Sequence, residues 1–151
     1  MLLRLLVATL HLVALGIGLG AVWARARGLR RSLDPDGLRR VFVADAWWGV
    51  AAALWISTGL FRLLMGLDKT PSYYLQNHLF WGKMLFLVVI LGLEILPMAT
   101  LIRWRRQLGT GAPIDTSAAG RLARISVVQA ALVVAMIAAA TGMARGYGAR
   151  G

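Results

Sequence analysis

Four long apolar runs, separated by short polar connectors, dominate the chain. They cover roughly Leu5–Trp23, Val41–Leu64, Leu79–Ile102 and Ile125–Met143. Each is close to the ~20 residues that a helix needs to cross ~30 Å of hydrocarbon. The pattern predicts an all-α membrane protein, a bundle of four transmembrane helices with spans of about 5–23, 41–64, 79–102 and 125–143 in a single domain over 1–151. The first run is longer than the ~7–15 residues of a signal-peptide core, and its basic flank follows it. It therefore reads as an uncleaved span.

Within the runs, the small and polar positions recur with the 3–4 spacing that helices use to face one another. One such seam reads Arg4, Val7, His11, Ala14, Gly18, Ala21 and Arg25, with Gly16 and Gly20 forming a GxxxG pair beside it. The second run gives Asp45, Trp48, Ala52, Trp55, Gly59 and Arg62. The third gives Lys83, Leu87, Ile90, Glu94 and Pro97, and the fourth Ser126, Gln129, Val133, Met136 and Ala140. Each helix thus offers one polar stripe to the bundle interior and leaves Leu, Val and Ile for lipid.

Local signals set the helix ends. Asp34-Pro35-Asp36 is an N-cap, a proline at the first helical position and an acidic first turn, so the second helix is expected to begin before the membrane. Thr70-Pro71 gives the third helix the same start, through an interfacial turn carrying Tyr73, Tyr74 and His78. Asp115 or Thr116 is expected to cap the fourth, after a loop at Gly109-Thr-Gly-Ala-Pro113.

Composition sharpens this picture. The chain is 59% hydrophobic yet carries a formal net charge of +11 and no Cys. The charge is segregated into connectors, so it calls for no nucleic acid. Arg25, Arg27, Arg30, Arg31, Arg39 and Arg40 fall in the first connector and Arg103, Arg105, Arg106, Arg121 and Arg124 in the third. The second has Lys69 balanced by Asp68. The positive-inside rule then places the Arg-rich side in the cytoplasm and both termini in the periplasm of a bacterial inner membrane. Anionic lipids are the expected partners of the Arg-rich face, with a homo-oligomer or another membrane subunit as further partners. The absence of Cys excludes disulfide and Cys-based metal chemistry.

Ionisable groups inside spans are functional candidates by default. Arg4 and Arg62 lie near span ends, where long side chains snorkel to the interface. His11, Lys83, Asp45 and Glu94 remain. At ~1.5 Å per residue, His11 lies roughly 10 Å and Lys83 roughly 6 Å below the outer boundary, while Asp45 and Glu94 lie near the inner one. The outer layer reads as basic and the inner as acidic. Asp45 and Glu94, if adjacent, would share a proton; alternatively either reaches the cytoplasmic arginines. Pro97 frees the carbonyl of Leu93 beside Glu94.

These residues suggest one specific chemistry. A neutral imidazole from a membrane helix is a common axial ligand of haem. His11 is the candidate metal ligand, Lys83 a second ligand or a partner of the propionates, and Trp48 and Trp55 candidate pocket walls. His78 sits about 10 Å shallower, which disfavours a bis-His site. From the sequence alone His11 reads first as a structural histidine bonded across helices. Three readings result: a haem b or related redox protein, a transport or proton-relay subunit using Asp45, Glu94 and Lys83, and a purely structural membrane protein. Whether the chain is an enzyme is open on sequence.

The stretch Asn77-His-Leu-Phe-Trp-Gly-Lys-Met84, continuing through Leu93-Glu-Ile-Leu-Pro-Met98 to Thr100-Leu-Ile-Arg-Trp-Arg105, resembles a bacterial family of predicted inner-membrane proteins, domain of unknown function 2214. Leu10-His-Leu-Val-Ala-Leu-Gly16 and Ala44-Asp-Ala-Trp-Trp-Gly49 resemble it too. The resemblance implies a fold and a location. A more distant similarity is to HemJ-type protoporphyrinogen oxidases and CopD-like copper-resistance membrane proteins. It rests on His11 in Thr9-Leu-His11 and Lys83 in Trp81-Gly-Lys83, and it implies haem at those two positions. The arginine- and tyrosine-rich motif that follows the first helix in the HemJ type is replaced here by Trp23-Ala-Arg-Ala-Arg27, and its Asn-Glu-x-Pro motif is missing.

Overall fold

A computed structural model describes residues 1–66 and 70–148. Asp68 and Lys69, the balanced pair of the second connector, lie outside the described residues. Five helices make up the rest: α1 (Leu2–Gly28), α2 (Pro35–Leu64), the short α3 (Pro71–Leu75), α4 (His78–Thr110) and α5 (Ala119–Ala144). The four long ones are apolar and long enough to cross a membrane. The expected spans lie inside them, and every long helix runs beyond its span toward the Arg-rich end or starts before it there.

The ends show which local signals act. Asp34 caps α2 as expected, accepting from the Gly37 amide at 2.7 Å, with Pro35 in the first turn. That bond holds the exposed Asp34 carboxyl below its usual pKa. Thr70 also caps a helix, accepting from the Tyr73 amide, but this helix is only α3. The chain then restarts at Asn77, whose side chain accepts from the Leu79 amide at 2.9 Å and donates to the Tyr147 carbonyl. The fourth long helix corrects its expected cap. Asp115 accepts from Ser117 within its own turn, while α5 begins at Ala119 without a side-chain cap. The expected loop at 109–113 is also shorter, because α4 continues to Thr110. It stops where Gly111 takes a left-handed φ of 69° and Ala112 bonds back to Gln107, a Schellman-like ending.

The expected seams face inward in part: Arg4 is exposed, and on α2 the buried face turns toward Ala51 and Thr58, leaving Ala52, Trp55, Gly59 and Arg62 half-buried. Ala14, Gly18, Ala21 and Arg25 of α1, Trp48 of α2, Ile90 and Pro97 of α4, and Ser126, Gln129, Val133 and Met136 of α5 are all buried. Gly18 lets α1 approach α2: a Cβ there would stand 3.4 Å from Ala51 and 3.5 Å from Trp48. Gly16 and Gly20 instead face outward, with nothing near them. The outer surface carries exposed Val50, Leu85, Val88, Ile95 and Val134, the lipid-facing residues of a membrane bundle.

The apolar core comes in two blocks. The one at the Arg-rich end joins Leu29, Leu38, Val41, Phe42, Leu101, Trp104 and Leu122. The central one joins Ala21, Val22, Trp48, Ile90, Ala130, Val133 and Met136. The backbones pack closely as α2 on α1, α1 on α5 and α5 on α4, whereas α2 and α4 stand farther apart and meet through longer side chains. The short α3 lies beside both α2 and α4 at the far end of this seam.

Candidate functional site

Between the two apolar blocks every long helix inserts a polar residue. Arg25 lies between Val22 and Leu29, Asp45 between Val41 and Trp48, Glu94 between Ile90 and Leu101, and Ser126 and Gln129 between Leu122 and Ala130. These residues meet. Arg25 is fully buried, and a guanidinium has five N–H donors. Nε donates to Ser126 Oγ at 3.0 Å and NH1 to Asp45 Oδ1 at 2.8 Å and Glu94 Oε1 at 2.7 Å. NH2 donates to Glu94 Oε2 at 2.9 Å and Gln129 Oε1 at 2.8 Å. Arg25 and Glu94 form the two-pronged fork that suits guanidinium and carboxylate geometry.

The other members complete the layer. Glu94 Oε2 also accepts from Trp48 Nε1 at 3.0 Å and Gln129 Nε2 at 2.7 Å. Ser126 donates onward to the Leu122 carbonyl, and Gln129 also reaches the Ile90 carbonyl. Arg105, near the Arg-rich end of α4, pairs with Asp45 Oδ2 at 3.5 Å. Asp45 and Glu94 thus reach the arginines, the second of the two expected arrangements, with Arg25 between them. Arg25, counted with the connector charges and also placed on the α1 seam, belongs to the core, because α1 remains helical to Gly28 and carries its seam four residues past Ala21.

The second site lies beyond the central block, at the end away from the arginine connectors. There a cavity of about 450 Å³ opens along the α2/α4 seam. His11 (α1), Trp55, Gly59 and Arg62 (α2), Tyr73 and Tyr74 (α3), Lys83 and Leu87 (α4) and Met136 and Met143 (α5) are among its walls. The α3 wall is pinned by Tyr73, whose hydroxyl donates to the Met143 carbonyl at 3.2 Å. The volume falls in the ~300–1,000 Å³ range of small-molecule sites.

His11 Nδ1 lies 2.9 Å from Thr58 Oγ1. The Thr58 hydroxyl lies 2.7 Å from the Leu54 carbonyl, one turn back. The same hydroxyl lies 3.1 Å from the Trp55 carbonyl. The His11–Thr58 contact is the interhelical bond expected of a structural histidine, and it fixes the ring against α2. Gly59 makes room for the ring: a Cβ there would stand 3.2 Å from His11 Cε1. Trp55 stacks at a tilt, 5.8 Å from the imidazole centroid, and its indole N–H is buried without an acceptor among the described residues. Among the described residues no carboxylate lies within ion-pair distance of Lys83.

The structure therefore brings together His11, Lys83 and Trp55 and parts Trp48 from them. Trp48 is two turns from Trp55 on the same face, ~10 Å deeper, and its indole serves Glu94. His78 is not among the cavity walls; its amide donates to the Gly148 carbonyl at the start of α4. Thr58 was missed by sequence reasoning, because a threonine three residues after Trp55 falls off the strict seam. The turn-by-turn positions His11 and Gly59 were the only signal toward it.

No curated protein matches the chain, and no solved structure matches it either. A family model described as a predicted membrane protein (DUF2214) matches residues 3–148. With the match spanning almost the whole chain and four membrane-length helices carrying it, the chain belongs to the DUF2214 family of predicted membrane proteins.

Proposed function

We propose that this membrane protein holds haem b, or a related flat redox cofactor such as a quinone, in the cavity at the end away from the arginine connectors. The observation that carries the reading is the His11 imidazole, fixed by Thr58, at the cavity wall. Among the described residues no three His, Cys, Asp or Glu side chains converge to hold a bare metal ion. A macrocycle brings its own four nitrogens and asks little more of the protein than one imidazole. His11 would hold such a group, Thr58 would hold the His11 ring, Lys83 would meet its acidic substituents, and Trp55, Leu87 and Met136 would exclude water. When bound, such a group supplies one-electron transfer. The resemblance of His11 and Lys83 to the HemJ-type positions supports the same two residues, while the missing HemJ motifs leave oxidase activity outside the proposal.

We assign Asp45 and Glu94 to architecture, since a proton relay through them would have to break charge-assisted bonds to Arg25. We also assign the Arg-rich end to the cytoplasm of a bacterial inner membrane and both termini to the opposite side, because positively charged connectors remain inside. The cavity then lies in the outer half of the bilayer.

Titrating haem into the detergent-purified protein tests the reading. A Soret band with a ligand-field signature of histidine is expected, lost in His11→Ala and kept in His78→Ala, with Lys83→Met weakening affinity but retaining the band. A wild-type chain that leaves the haem spectrum unchanged, or a band indifferent to His11→Ala, overturns it.

A further inference from the structure

A second, smaller concavity of about 300 Å³ lies at the Arg-rich end, where the last turn of α1 passes α5. Trp23, Ala26, Arg27, Arg30, Arg31 and Val127 line it. Among the described residues Arg27, Arg30 and Arg31 form no ion pair, and they are the arginines that this hollow brings together. Three like charges converging on one hollow repel one another, and an anion placed among them relieves that repulsion. Guanidinium groups match the oxygens of phosphate in a two-pronged geometry.

The rest of the lining says which phosphate. Trp23 is half exposed at the end of the α1 apolar run, the position of an interfacial anchor. Ala26 and Val127 form an apolar floor, and exposed Val128 and Val134 continue along α5 toward the bilayer centre. A free phosphate would meet only the arginines. A phospholipid would use both parts, with its headgroup in the hollow and an acyl chain along α5. Basic pockets between helices at the cytoplasmic side are a recognised mode of anionic-lipid binding. We propose that Arg27, Arg30, Arg31 and Trp23 form a specific site for the phosphodiester headgroup of an anionic phospholipid. The site lies at the other end of the molecule from the His11 cavity and does not depend on that assignment.

Native mass spectrometry of the full chain, exchanged from detergent into phosphatidylglycerol, cardiolipin or phosphatidylcholine, tests it. One anionic lipid retained per chain is expected, in preference to phosphatidylcholine. Each arginine neutralised in Arg27→Gln/Arg30→Gln/Arg31→Gln should weaken retention about fivefold. Arg103→Gln/Arg106→Gln/Arg121→Gln removes the same charge from the other connector and should leave retention near wild type. Equal loss in both triple variants would assign lipid attraction to the diffuse field and overturn the site. Wild-type retention of phosphatidylcholine equal to that of the anionic lipids overturns it without reference to any variant. Displacement by equimolar inorganic phosphate would make the hollow a free-phosphate site and overturn the lipid assignment.

Discussion

Arg25 illustrates how much one residue can organise. Its five donors reach three other helices, and no donor is left over. A buried pair is weak evidence of net stability against an apolar replacement, but removing one partner leaves uncompensated charge and costs about 3–5 kcal/mol. Arg25→Met should therefore unfold the bundle at markedly lower temperature in a detergent melt. Adding Asp45→Asn and Glu94→Gln to the same chain should recover most of that loss. An Arg25→Met chain that melts like wild type would mean the network contributes nothing. Trp48→Phe removes a bond to the Glu94 carboxylate and shrinks a buried ring that Arg25 overlies, and should cost about 2–3 kcal/mol. Arg25 was legible in two ways from sequence: an arginine at the end of an apolar run usually snorkels, while the continuation of the His11–Ala14–Gly18–Ala21 stripe marks it as interior, and burial decides for the stripe.

At the scale of elements, glycines decide where helices approach. Gly18 faces Ala51 and Trp48 across the α1/α2 contact, whereas Gly16 and Gly20 face away from the bundle. Gly18→Leu should overpack this contact and cost about 1–3 kcal/mol, while Gly16→Leu should leave the monomer's melt unchanged. Equal effects of the two would contradict the assigned α1 face. Gly59→Ala is a subtler probe, because its methyl would press on His11 Cε1 at 3.2 Å. Ligand affinity should fall with little change in stability, as a paired titration and melt would show. The seams of all four long helices were legible because small and polar residues recur at the helical period. The break between α3 and α4 was less so: the Thr70-Pro71 start was visible, but Asn77 also caps a helix, and two caps seven residues apart signal two helices. The unadorned start of α5 had no such signal, since a turn bond from Ala119 to the Thr116 carbonyl opens it.

For the whole molecule, the net charge of +11 divides into distinct jobs. Arg25 builds the core, Arg27, Arg30 and Arg31 surround a hollow, and the remaining connector arginines mark one membrane face. The proposed orientation is checked by fusing alkaline phosphatase or a fluorescent protein to the C-terminus. The phosphatase fusion should be active and the fluorescent one dark, and the reverse would place the termini in the cytoplasm. Helical rise parted His11 and Lys83, which line one cavity, from Asp45 and Glu94, which meet at Arg25. It could not show that the α2 and α4 backbones stand apart, because that depends on which neighbours pack between them.

The division of labour between a charge-knit core and a separate binding cavity is tested most directly by the melting temperature of the purified protein with and without added haem. A ligand that binds only the native state stabilises it by about 2.7 kcal/mol at a hundred times its dissociation constant. Haem should raise the melting temperature of wild type and of Asp45→Asn, the latter from a lower starting point. His11→Ala should start somewhat lower without haem, for the lost bond to Thr58, and gain nothing from haem. The same haem-induced rise in His11→Ala as in wild type would contradict a cavity built around the His11 imidazole.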